Sequence, residues 1–194
     1  MTSNIKNYKR AVLLMLGFLC VTMSLAQADY EKWKLQFAVG VNNPIDPNDP
    51  DRLYYSKLVN FPTLNLGVQH MFNSSLGAKL DFGYNKSVND EDSLPYKFNY
   101  WRVNAQFVYD FYDLLTFLPP QINLVAHLGP GISISQPMSP YTQNKYTYAN
   151  FLTGLELHYG ISETFSVYGD ISYVFGLSSA DKYDEAIDGF SFNH

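Results

Sequence analysis

Polar and apolar residues alternate along most of this chain with a period of two. Between Trp33 and Asn42, the residues Trp33, Leu35, Phe37, Val39 and Val41 fall on one side, and Lys34, Gln36, Ala38, Gly40 and Asn42 on the other. Successive side chains of a strand point to opposite faces, so this spacing predicts a strand with one apolar face. The beat returns over 63–72, 76–86, 99–110, 121–135, 149–159 and 165–176, which makes seven predicted strands. In 76–86, Leu76, Ala78, Leu80, Phe82 and Tyr84 oppose Gly77, Lys79, Asp81, Gly83 and Asn85. In 165–176, Phe165, Val167, Ile171, Tyr173 and Phe175 oppose Ser166, Tyr168, Asp170 and Ser172.

The segments between strands alternate as well. Long connections at 43–62, 87–98 and 136–148 face short ones at Asn73-Ser74-Ser75 and Gly160–Thr164, with Phe111–Pro120 of moderate length on the short side. The predicted strands run to about 10 residues or more, against about 5–6 for soluble proteins, and a tilted strand of about 10 crosses an apolar band. Short turns on one side and long loops on the other fit the periplasmic and extracellular ends of an outer-membrane barrel. The pattern thus predicts an all-β, antiparallel up-and-down transmembrane β-barrel. The alternative is a soluble lipocalin-like barrel, which would turn its apolar side inward.

Composition sharpens this choice. Of the 194 residues, 46% are hydrophobic and 16% aromatic, with 16 Tyr and 14 Phe, while only 16% are charged. A disordered chain is excluded, and the charge is low for a soluble domain. Beyond the N-terminus no apolar run approaches the ~18 residues of a membrane helix, which excludes a multi-span helical protein. The net charge of -5 argues against a nucleic-acid partner. Aromatics fall at strand ends on the apolar face: Trp33, Phe72, Tyr109, Tyr159 and Phe165 toward the short turns, and Tyr84, Trp101 and Tyr173 toward the long loops. They are the expected girdles at the two lipid interfaces.

The first residues read as an address. Lys6, Lys9 and Arg10 precede an apolar run, Ala11–Leu25, and Ala26-Gln27-Ala28 is a cleavage motif. Residues 1–28 are expected to be a cleaved signal peptide and 29–194 the barrel domain. Cys20 lies inside that segment after Leu19, which does not suit a lipid-anchor signal.

The polar face carries the candidate chemistry. Lys79, Asp81, Arg102, Glu156, His158 and Asp170 form an expected lumen charge cluster, with His127, Lys34 and Asp110 on the same face. An eight-stranded interior is only wide enough for side chains, so opposite charges there are expected to pair into a plug. The alternative is a narrow pore in which Lys79 or Arg102 exchanges partners. Ser133 and His127 share the inner face but lack a substrate-facing rim, and no catalytic residue is expected. Asp46, Asp49 and Asp51 in the first loop are a weak divalent-cation candidate without EF-hand spacing. No cofactor and no resident metal are expected.

Seven strands do not close a single-chain bacterial barrel, whose strand number is even. Gly189-Phe190-Ser191-Phe192 resumes the alternation just before His194. This predicts the start of an eighth strand, truncated at the C-terminus.

The runs WKLQFAVGVNNPID, FPTLNLGVQHMF, LGAKLDFGYN and GLELHYGISETFSVYGDISY resemble the eight-stranded OmpA-like barrel domain of Bacteroidota-type outer-membrane proteins. The resemblance spans 31–194 and lies in pattern rather than in a catalytic motif. It implies a non-enzymatic protein of the Gram-negative outer membrane that supports envelope integrity and displays surface loops. The implied partners are outer-membrane lipid and lipopolysaccharide, the barrel-insertion machinery, and peptidoglycan through a C-terminal domain that is absent here. A gated channel for small solutes and an outer-membrane lipid-modifying enzyme or protease are the alternatives.

Overall fold

The computed structural model describes residues 32–44, 56–91, 95, 97–138 and 145–177. They form seven strands: β1 (Trp33–Asn42), β2 (Asn60–Met71), β3 (Leu76–Val88), β4 (Lys97–Asp110), β5 (Ile122–Met138), β6 (Tyr146–Gly160) and β7 (Ser166–Leu177). All pairings are antiparallel and join consecutive strands in the order β1-β2-β3-β4-β5-β6-β7. The sheet curls into a half-barrel, and no ladder joins β1 to β7 among the described residues. These contain no helix, and hence none long and apolar enough to cross a membrane. The segment 1–28 expected to be a signal peptide, the loop aspartates Asp46, Asp49 and Asp51, and the alternating run at 189–192 lie outside the described residues.

The two-residue beat places each side chain as the sequence predicts. In β3, Leu76, Leu80 and Phe82 are exposed while Gly77, Lys79, Asp81, Gly83, Asn85 and Ser87 are buried. In β4, Trp101, Val103 and Phe107 are exposed and Arg102, Asn104 and Gln106 are buried. A water-soluble fold does the reverse, since burying one aliphatic side chain is worth about 1.5–3 kcal/mol. Here Phe107 is 68% exposed and Ile132 58%, whereas Glu156 is 1% and Asn104 0% exposed.

The inner face is less polar than its pattern suggests. Tyr100, Val108, Val125, Tyr148, Leu152, Tyr168 and Val174 are buried on it, with Met71, Val108 and Val125 clustered together. Val108, Val125, Leu152 and Val174 fill space there without requiring hydrogen bonds, while the tyrosines bring a hydroxyl each.

Several strands outrun the sequence reading on the long-loop side. β3 continues to Val88, β4 starts at Lys97 and β5 reaches Met138, joined by the pairs Val88↔Lys97 and Lys97↔Met138. Outward positions there turn polar, with Lys86, Lys97, Asn99 and Gln136 replacing aliphatics. The alternation therefore fades although the backbone ladder persists. The long connections shrink accordingly to 89–96 and 139–145, so the contrast with the short side is weaker than predicted.

The short side is closed by local chemistry. Asn73 Oδ1 accepts from the amides of Ser75 at 2.9 Å and Leu76 at 2.7 Å, an Asx-type turn between β2 and β3. The β6–β7 turn is held by Ile161 N donating to Phe165 O at 2.9 Å. Phe111–Gln121 does not extend β4. It forms successive turns, with Leu115 N donating to Phe111 O and Leu118 N to Leu115 O, each at 2.9 Å. Leu114 and Phe117 of these turns are exposed.

Candidate functional site

The half-barrel gathers its ionisable groups on the concave face of β3 to β7. Lys79 on β3 reaches across the lumen to β6, where Nζ donates to Glu156 Oε1 at 2.5 Å. The other oxygen of Glu156 accepts from His158 Nε2 at 2.7 Å and from Gln36 Nε2 of β1 at 3.1 Å. One carboxylate thus ties β1, β3 and β6 together. His158 also stacks on Tyr168, with ring centroids 5.0 Å apart.

Arg102 forms the second ion pair, donating through Nη1 to Asp81 Oδ2. Its Nη2 donates to Asn65 Oδ1 at 2.8 Å, and Nη1 also reaches Asn104 Oδ1 at 3.2 Å. Gly83 makes this possible. It pairs with Arg102 across β3 and β4, and a Cβ at 83 would lie 2.6 Å from Nε and 2.8 Å from Cγ. The guanidinium stem therefore lies over bare backbone. Charges removed from water need such partners, because an uncompensated one costs several kcal/mol.

Asp170 on β7 completes the cluster. Its oxygens accept from Ser172 Oγ at 2.8 and 2.9 Å, and Oδ1 faces His127 Nε2 at 3.2 Å. His127 is a member of this cluster that charge counting had set aside. Nδ1 of its ring faces Gln106 Oε1 at 2.6 Å. Its inward place in the alternation was visible, but its partners lie on β4 and β7 and depend on how the sheet curls.

Beside the ionic cluster, toward the long-loop ends of β4, β5 and β6, lies a neutral network. Tyr100 Oη and Ser133 Oγ are 2.6 Å apart, Asn150 Nδ2 donates to Ser133 Oγ at 2.7 Å, and Asn104 Nδ2 donates to Asn150 Oδ1. Ser133 thus meets Tyr100 and Asn150, while His127 meets Gln106 and Asp170. Asp110 departs from charge pairing: it accepts from Asn123 Nδ2 at 2.7 Å and from the Tyr112 amide at 2.9 Å, both neutral donors.

The aromatic residues occupy the outward face near the strand ends. Trp33 packs on His70 at 4.4 Å between ring centroids, and His70 on Phe72 at 5.5 Å. Tyr109 meets Phe111 at 4.8 Å, and Tyr159 pairs with Ile122 at the same end, where Phe165 closes the β6–β7 turn. Toward the loops, Tyr84 packs on Trp101 at 4.3 Å and Tyr173 on Phe175 at 4.4 Å.

Between β1 and β7, which no ladder joins among the described residues, opens a cavity of about 390 Å³, lined by Ala38–Asn42 on one side and by Tyr168 and Asp170–Val174 on the other, with Arg102 on its wall. Comparison of the chain with family profiles, with curated proteins and with solved structures finds no match in any of the three.

Proposed function

We propose that this chain is the barrel of a Gram-negative outer-membrane protein of the OmpA-like kind. It is non-enzymatic, supports the envelope mechanically and presents its longer connections at the cell surface. The observation that carries this reading is the inversion of the two faces: aliphatic and aromatic side chains outside, ions and amides inside. Water penalises that arrangement, and hydrocarbon favours it. The aromatic pairs at both strand ends suit the two lipid interfaces. A further strand between β1 and β7 closes the barrel, because lipid leaves no open edge without partners. Outer-membrane lipid and lipopolysaccharide are then its surroundings and the barrel-insertion machinery its route.

A substitution on the outward face tests this. Leu80→Arg places a cation in the middle of the apolar band and should cost about 2–4 kcal/mol of stability in lipid vesicles. In a soluble protein the same exposed site would tolerate arginine within about 0.5 kcal/mol. Recovery of the protein as a detergent-free monomer from a soluble fraction would defeat the reading.

The ion pairs favour one second reading, a narrow gated channel. Lys79 and Arg102 each hold one carboxylate, and Asp170 offers a third to exchange with. Conductance in planar bilayers that changes in Lys79→Ala or Glu156→Ala supports it, and silent bilayers remove it.

A further inference from the structure

We propose that His127 Nε2, Glu156 Oε1 and Asp170 Oδ1 form a binding site for one divalent transition cation of the zinc class. The argument begins with Gln106. Its Nε2 points at Asp81 Oδ2, 3.4 Å away, so its Oε1 is turned to His127 Nδ1. The Nδ1 atom therefore carries a hydrogen and donates it. The remaining nitrogen, Nε2, faces only acceptors: Asp170 Oδ1 at 3.2 Å and Glu156 Oε1 at 3.9 Å. A lone pair opposed to two carboxylate oxygens calls for something positive between them, and a proton and a metal ion are the two candidates.

Two further observations favour a cation there. Lys79 is bonded to Glu156 and Arg102 to Asp81, while no lysine or arginine bonds Asp170 among the described residues. The cluster is one fixed positive charge short at this point. Gly154, which pairs with both His127 and Ser172, lets these two side chains close in over bare backbone. A Cβ at 154 would lie 2.5 Å from Nε2 and 2.6 Å from Ser172 Oγ.

The three ligand atoms lie within 4.8 Å of one another. Bonds of about 2 Å to imidazole nitrogen and carboxylate oxygen draw such donors to about 3–4 Å. Gln106 fixes the imidazole from behind and Ser172 fixes the carboxylate, the outer support that metal-binding histidines and carboxylates require. Lys79 is the internal competitor, because its ammonium occupies the same Glu156 oxygen.

The test uses the purified full chain, dialysed against Co²⁺ or Zn²⁺ and then against metal-free buffer. One ion per chain is expected, with a Co²⁺ visible absorption band. His127→Gln and Asp170→Asn should abolish uptake, and Gln106→Leu should weaken it by about 10- to 100-fold. Lys79→Met should tighten it. His70→Gln, on the outer face, should retain it. Should the lumen variants fail to fold, the unmodified protein still decides: added Zn²⁺ should shift the imidazole NMR signals of His127 and leave those of His70 in place. No uptake by the unmodified protein, uptake undiminished in His127→Gln, or unshifted His127 signals overturns the proposal.

Discussion

Two neighbouring parts of the lumen solve the same problem differently. Around Glu156 the buried groups are mostly ionisable side chains and, with the Gln36 amide of β1, spread over β1, β3, β5, β6 and β7. Around Ser133 they are a phenol, a hydroxyl and two amides confined to β4, β5 and β6. The neutral network sits on strands already joined by backbone ladders, so its groups meet with little further ordering. The ionic cluster bridges strands that are not neighbours in the sheet. Its carboxylates stay satisfied only while the curl holds them opposite Lys79 and His127. The longest reaches in the lumen, from Lys79 and Gln36 to Glu156, therefore lie where no backbone ladder joins the strands.

This contrast predicts a graded set of responses. The largest effect belongs to Lys79→Met, which leaves the buried Glu156 carboxyl without its ammonium partner. Unfolding by urea in lipid or detergent should show a loss of about 3–5 kcal/mol in metal-free buffer. Ser133→Ala removes the shared partner of Tyr100 and Asn150 and should cost about 1–3 kcal/mol by the same measurement. An equal or greater loss for Ser133→Ala would erase the distinction between the two regions. The smallest effect is expected when Lys79→Met is combined with Glu156→Gln. The glutamine keeps a carbonyl for Gln36 and His158 but carries no charge, so stability should return to within about 1 kcal/mol of the starting protein. A double variant as weak as the single one would mean that the pair itself, and not the stranded charge, supplies the stability.

The sequence carried the faces of every strand because period-two alternation needs only local spacing. Lys79, Asp81, Arg102, Glu156, His158 and Asp170 could be placed inside from that spacing alone. Which charge meets which could not be read, since Lys79 and Glu156 are 77 residues apart and meet only when the sheet curls. His127 was visible as an inward residue, yet its place opposite Asp170 depends on β5 and β7 approaching across Gly154. The buried Tyr100, Val108 and Leu152 also ran against a simple polar-inside rule. Their positions are inward by count, but residue type alone assigned them to no level of the lumen. At the loop ends of β3, β4 and β5 the apolar-outside pattern was lost while the ladder continued, because Lys86, Asn99 and Gln136 turn the outer face polar and Phe98 turns the inner face of β4 apolar.

The strand order also implies a sequence of events in time. Every ladder joins neighbours in the chain, and the turns at 73–75 and 161–165 are short, so the β2–β3 and β6–β7 hairpins can form with a small loop-closure cost. The bond from Gln36 to Glu156 spans 120 residues and has no such shortcut. Loop-closure cost therefore favours local hairpins before the lumen bonds, which act as a latch on a wall of consecutive ladders.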